Sequence, residues 1–178
     1  EAGTISYGGS CSSSTTIAIS GNNTITLDSL SEGTYSDCTI TVTDNSSNSV
    51  TLNISSFVID TTAPTVSSIS PTNNQNVVSI STNISVTFSE AMDNTSVTTN
   101  TDNTTCYGSF QLSSDNFSSC VQMSSSPSSS NSYNTFTIDP TDNLSFSTTY
   151  KVRVTTGVKD SAGNTVSSQY QLSNGFTS

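Results

Sequence analysis

Leu144-Ser-Phe-Ser-Thr-Thr-Tyr-Lys-Val-Arg-Val154 places a leucine ahead of a run in which Tyr150, Val152 and Val154 recur at spacing two. Period two marks a strand with one buried face, because successive side chains point to opposite sides of a sheet. An earlier stretch has the same plan: Leu30-Ser-Glu-Gly-Thr-Tyr35 precedes Cys38-Thr-Ile-Thr-Val-Thr43, with Ile40 and Val42 at spacing two. Each run ends in an acid-to-asparagine segment, Asp44-Asn-Ser-Ser-Asn48 and Asp160-Ser-Ala-Gly-Asn164. The reading is physical. A leucine plugs a corner, a tyrosine buries its ring and returns its hydroxyl to the backbone, and an Asx-rich turn reverses the chain.

Working outward, the same alternation occurs in Thr15–Ser20, in Asn23–Leu30 through Ile25 and Leu27, in Ile84, Val86 and Phe88, and in Phe136 and Ile138. Clusters of Gly, Asn, Asp and Ser separate these runs, which is the spacing of an all-β sandwich. No segment repeats apolar residues at helical spacing for more than about one turn. Ser89–Asn94 alone suggests a short helical turn, capped by Ser89, with Glu90 and Asp93 in solvent. Those two acids are close in sequence, yet nothing else supports a carboxylate pair of the glycosidase kind. Ser124–Ser132 reads as a flexible polar loop.

Composition narrows the function. Hydrophobic residues supply 30% of the 178 residues and charged ones 9%, with a net charge of −10. Such a profile also suits a disordered chain, but the repeated period-two runs decide for a folded one. The absence of His removes the commonest general base and metal ligand, and no catalytic residue is proposed. Nucleic acid is excluded as a partner, since Lys151, Arg153 and Lys159 are the only cations and a pI near 4.1 repels phosphate. No window approaches the length of a membrane span, so direct membrane insertion of this segment is not expected. The chain opens at Glu1 without a leader, which suggests a piece of a longer exported polypeptide.

Four cysteines agree with export. Cys11 and Cys38 lie in one half and Cys106 and Cys120 in the other, a placement that suits two local disulfides, although the sequence alone allows three pairings. Phe57-Val-Ile-Asp-Thr-Thr-Ala-Pro64 closes an apolar run, and Thr65–Pro71 begins a new alternation. This stretch is read as the boundary between two modules.

The twofold recurrence of Tyr35 and Tyr150 follows the tyrosine-corner logic of immunoglobulin-like sandwiches. The antibody pattern itself is absent, because there is no Trp and Tyr35 stands three residues before Cys38. Residues 65–178 resemble the bacterial Ig-like domains of the S-layer-associated, SbsA-like family. The resemblance is carried by Ile84-Ser-Val-Thr-Phe-Ser-Glu-Ala-Met-Asp93, Leu144–Val154, Gly157-Val-Lys-Asp-Ser-Ala-Gly-Asn164 and Gly175-Phe-Thr-Ser178. Residues 1–62 are similar to a second bacterial Ig-like repeat type of long surface and adhesin-like proteins, through Gly3-Thr-Ile-Ser-Tyr-Gly-Gly-Ser-Cys11, Gly33-Thr-Tyr-Ser-Asp-Cys38 and Phe57–Pro64.

The resemblance implies an all-β chain of two tandem immunoglobulin-like β-sandwiches, 1–62 and 63–178, with disulfides Cys11–Cys38 and Cys106–Cys120. It also implies that the first module lacks its opening strand, either at a boundary of the supplied chain or because a neighbouring subunit supplies it. The expected function is a spacer or stalk in an exported bacterial cell-surface or adhesin-like protein. The alternative is a subunit of an extracellular filament assembled by strand complementation. The expected partners are neighbouring Ig-like modules or identical subunits.

Calcium is the ligand the acids suit best, with Asp60 at the linker and the turn acids Asp44 and Asp160 as candidate oxygen donors; no other cofactor is expected. Lys151 should point away from the core, which argues against an isopeptide crosslink. Eight N-x-S/T sequons, at Asn22, Asn45, Asn53, Asn83, Asn94, Asn103, Asn116 and Asn143, are explained by composition.

Overall fold

Threonine alternating with aliphatic residues builds strands along most of residues 2–178, the part of the chain that the computed structural model describes. The chain divides into two compact units, one ending at Thr61 and one running from Thr62 to Ser178. Both are all-β, and no described helix is long and apolar enough to cross a membrane.

The first unit holds β1 (Gly3–Gly8), β2 (Ile17–Ala18), β3 (Gly33–Tyr35), β4 (Thr39–Asp44), β5 (Ser49–Asn53) and β6 (Phe57–Ile59). Four of these form an antiparallel sheet in the order β2-β1-β4-β5, and β3 pairs with β6. Ile5 lies opposite Val42, which lies opposite Val50; Tyr7, Ile40 and Leu52 make the next row. Directly opposed residues share a face, so this side of the sheet is aliphatic. The other side is a threonine surface, where Thr41 and Thr51 hydroxyls meet at 2.8 Å. Cys11 and Cys38 are disulfide-bonded and buried. By loop closure, such a bridge contributes about 3–4 kcal/mol, a large part of what so thin a core can supply.

The second unit holds β7 (Val66–Ser70), β8 (Ile84–Phe88), β9 (Phe110–Ser113), β10 (Ser128–Ser130), β11 (Thr135–Ile138), β12 (Thr149–Val154), β13 (Tyr170–Gln171) and β14 (Phe176–Thr177). One antiparallel sheet runs β10-β11-β8-β7. In the other, β12 is central, with β9 along one edge and β13 and β14 along the other. Ile84, Val86 and Phe88 from β8, Phe136 and Ile138 from β11, Phe110 and Leu112 from β9, and Val152 and Val154 from β12 are all buried in one cluster. Phe88 and Phe136 meet edge to face at 6.1 Å, the favoured geometry for aromatic quadrupoles.

Three local expectations are corrected. Ser89–Asn94 forms no helical turn: the Ser89 hydroxyl accepts the Thr65 N–H at 2.9 Å, holding the chain that enters β7 to the end of β8, and Glu90 and Asp93 are half-buried rather than in solvent. Ser124–Ser132 is not a free loop, because Ser128–Ser130 pair with Thr135–Thr137 as an edge strand whose side chains are all exposed. Ile25 and Leu27 make no strand, since their segment finds no ladder partner and bonds to the neighbouring loop through Asp28 N–H to Ser12 C=O.

Phe136→Ala should cost about 3–5 kcal/mol in the second unit. In urea unfolding, the more stable transition should move and the less stable one, assigned to the first unit, should not.

Candidate functional site

Each of the two sequence devices forms a specific constellation of hydrogen bonds. In the second unit, Leu144 and the Tyr150 ring are buried, Tyr150 stacks on Phe176 at 5.9 Å, and its hydroxyl accepts the Ser145 N–H at 3.0 Å. In the first unit, Tyr35 stacks on Phe57 at 5.4 Å and donates its hydroxyl to the Ser31 carbonyl at 2.7 Å. The two tyrosines serve the same corner with opposite hydrogen-bond polarity, and Tyr35 is only half-buried.

The acid-to-asparagine turns match more closely. Asp160 Oδ1 accepts the N–H groups of Ala162, Gly163 and Asn164 at 2.7–2.8 Å, while Asn164 Nδ2 donates to Oδ2 at 2.8 Å. Asp44 Oδ1 accepts the N–H groups of Ser46 and Asn48, and Asn48 Nδ2 donates to Oδ2 at 2.8 Å. Both turns also close a backbone bond from the aspartate N–H to the asparagine carbonyl. The difference is burial: Asp160 is 1% exposed, whereas Asp44 is half-buried.

These contacts bear on the candidate calcium ligands. Asp44 and Asp160 each spend their carboxylates on their own turn. Asp60 directly follows β6 and is half-buried. Within the second unit, Glu90 and Asp160 offer carboxylate oxygens within 4.8 Å of each other. Nothing in the local sequence of Glu90 signals its proximity to Asp160.

A cleft of about 600 Å³ opens in the second unit between Thr95, Val97, Asp102, Tyr107 and Pro127. The Tyr107 hydroxyl accepts the N–H groups of Thr101 and Asp102 at 2.9 and 3.2 Å, so it is engaged in holding the loop. Gly108 is required here: its φ is +80°, and a Cβ would lie 2.7 Å from the Thr99 Cα. The disulfide Cys106–Cys120 braces the same loop. Behind the cleft, Thr99 Oγ1 and Asn100 Oδ1 are buried without a hydrogen-bond partner in the protein. Within the lining, the Thr101 hydroxyl donates to the Asp102 carboxylate at 3.2 Å. The arrangement is that of a braced loop, and its chemistry is hydrogen bonding.

Residues 60–178 match the family model described as the bacterial Ig-like domain. The chain belongs to this family. Among solved structures, this bacterial Ig-like chain is similar to surface layer protein SbsC, domains 1–6, at 23% identity over 66% of this chain and 14% of that one, with a TM-score of 0.46. A structure of S-layer protein SbsC(31–844) matches at 24% identity, 66% and 14% coverage and a TM-score of 0.45. The N-terminal part of SbsC matches at 25% identity, 65% and 23% coverage and a TM-score of 0.44. The bacterial Ig-like chain thus spans about a seventh of the longer of these proteins. No curated protein matches it.

Three acids of the chain have lowered pKa values. The Asn48 side chain holds Asp44 below the ordinary carboxylate value, and the Thr95 hydroxyl does the same for Asp93. Asp115 is lowered to about 2, chiefly by the Ser119 hydroxyl and N–H. A folded carboxyl that binds its proton less tightly than in the unfolded chain stabilises the fold above the unfolded value, and that contribution disappears as pH falls through the folded value. The urea midpoint should therefore fall from about pH 4 toward pH 2. Asp115→Asn should flatten this dependence, and an unchanged slope would contradict the assignment.

Proposed function

We propose that the two units are spacer modules of an exported bacterial cell-surface or adhesin-like protein, with neighbouring Ig-like modules as their partners. The observation that carries this reading is the family match together with the internal bracing of each unit. A disulfide, a tyrosine corner and an aspartate-closed turn hold each unit from within. A module braced in this way keeps its length when pulled, which a stalk requires. The disulfides and the family both suit an extracellular location. Net charge of −10 keeps an array of such modules soluble through mutual repulsion.

A second reading, an extracellular filament assembled by strand complementation, is favoured by one observation. The edge strand β5 leaves Val50 75% and Leu52 63% exposed, where a further strand would add to the sheet. The calcium proposal for Asp44, Asp60 and Asp160 rests on the oxygen chemistry of turn acids, and a melting temperature unmoved by chelator would contradict it.

Replacement of both modules in the parent protein by an unrelated β-sandwich pair of equal length tests the spacer reading. Surface display and reach should be retained, and their loss on a length-matched swap would show that the modules act through a specific surface instead. The bracing has its own signature in single-molecule stretching. Reduction should release hidden chain of about 90 Å from the 27-residue separation of Cys11 and Cys38, and about 50 Å from the 14-residue separation of Cys106 and Cys120.

A further inference from the structure

Burial fades along each aliphatic row of the first unit. In the row across β1, β4 and β5, Ile5 is 5% exposed, Val42 38% and Val50 75%. The neighbouring row, Tyr7, Ile40 and Leu52, also ends on an exposed side chain. Both rows stop at β5, which pairs only with β4 among the described residues. Sheet edges are ordinarily guarded by a charge, a proline or a bulge. Ser49-Val-Thr-Leu-Asn53 contains none of these residues, and its register with β4 runs without a shift.

We propose that β5 pairs antiparallel with β5 of a second copy of this chain, about a two-fold axis at Thr51. The segment is self-complementary in that register. Val50 falls opposite Leu52 of the second copy on the aliphatic face, and Ser49 falls opposite Asn53. Each aliphatic row then continues across the axis into the other row of the second copy, and Val50 and Leu52 gain flanking neighbours at the former edge.

Charge selects the antiparallel direction. Residues 2–61 carry Asp28, Glu32, Asp37, Asp44 and Asp60 and no Lys or Arg, so two such units repel. Asp44 is the charge nearest β5, in the turn just before Ser49. A parallel pairing would hold the two Asp44 residues level with each other, three strand spacings or ~14 Å apart, because each lies at the end of β4. The antiparallel pairing offsets them by about six residues, or ~20 Å along the strand, well beyond the screening length of ~8 Å at physiological ionic strength. A two-fold contact also consumes the edge, so assembly stops at the dimer. The inference rests on the identical-subunit part of the filament reading, but differs from strand complementation, which propagates into polymers.

Sedimentation of the 178-residue chain tests the proposal. The expected result is a concentration-dependent equilibrium of monomer and dimer that strengthens with salt, as screening relieves the acidic repulsion. Val50→Lys combined with Leu52→Lys should weaken the dimer by about tenfold or more, while circular dichroism still reports the β-fold. Thr51→Cys places two thiols on the axis, at the Cα separation of about 4.5–5.5 Å of directly opposed antiparallel residues, within disulfide reach. It should give a covalent dimer on a non-reducing gel, and Ser46→Cys, at the hairpin tip, should not. Monomer at every concentration would overturn both this inference and the filament reading. A ladder of higher polymers would overturn this inference and support strand complementation, and a dimer that Thr51→Cys fails to crosslink would overturn the register.

Discussion

Three successive backbone N–H groups converge on one oxygen of Asp160, and the side chain that collects them is 1% exposed. A buried carboxylate is tolerated only when hydrogen bonds replace its lost water. Here that requirement forces the chain to turn within four residues and to reverse direction toward β13 and β14. The placement of the last strands against β12 depends on this reversal, and the Tyr150–Phe176 stack depends on β14. Asp44 repeats the device in the first unit with Ser47 at a φ of 68° where Gly163 has a φ of 100°.

The two units differ in how much apolar surface stands behind the shared device. The second unit encloses Phe88, Phe110, Phe136 and Phe176 in a continuous core. In the first, buried apolar residues are Ile5, Cys11, Ala18 and Cys38, so the disulfide carries much of the stabilisation. Val50 and Leu52 remain in water on an unguarded edge. The chain thus combines a well-filled unit with one whose sheet is open to a further strand.

Legibility in the sequence followed burial pattern and turn chemistry. Ile84, Val86 and Phe88 alternate with Ser85 and Thr87 and occupy a strand with one face in the core, as period two implies. Tyr35, Tyr150, Asp44 and Asp160 were legible because their hydrogen-bond partners lie within five residues. β9 was not legible. Gln111 and Ser113 are polar yet buried, because Arg153 donates to Gln111 and lies 3.9 Å over the Phe117 ring, closing a loop over that side of the strand. β10 was hidden for another reason, since three serines carry no pattern and only the ladder to β11 makes them a strand. The approach of Glu90 to Asp160 arises from tertiary packing across 70 residues, and no local signal encodes it.

A braced scaffold is what these residues build, and Asp160 is the group on which the larger unit turns. The most direct measurement is equilibrium unfolding of Asp160→Ala beside Asp44→Ala. Loss of the buried acceptor strands three N–H groups, so Asp160→Ala should lower the stability of the second unit by about 3 kcal/mol or more. Asp44→Ala, whose turn stays in contact with water, should cost the first unit distinctly less. Equal and small losses in the two variants would contradict the account.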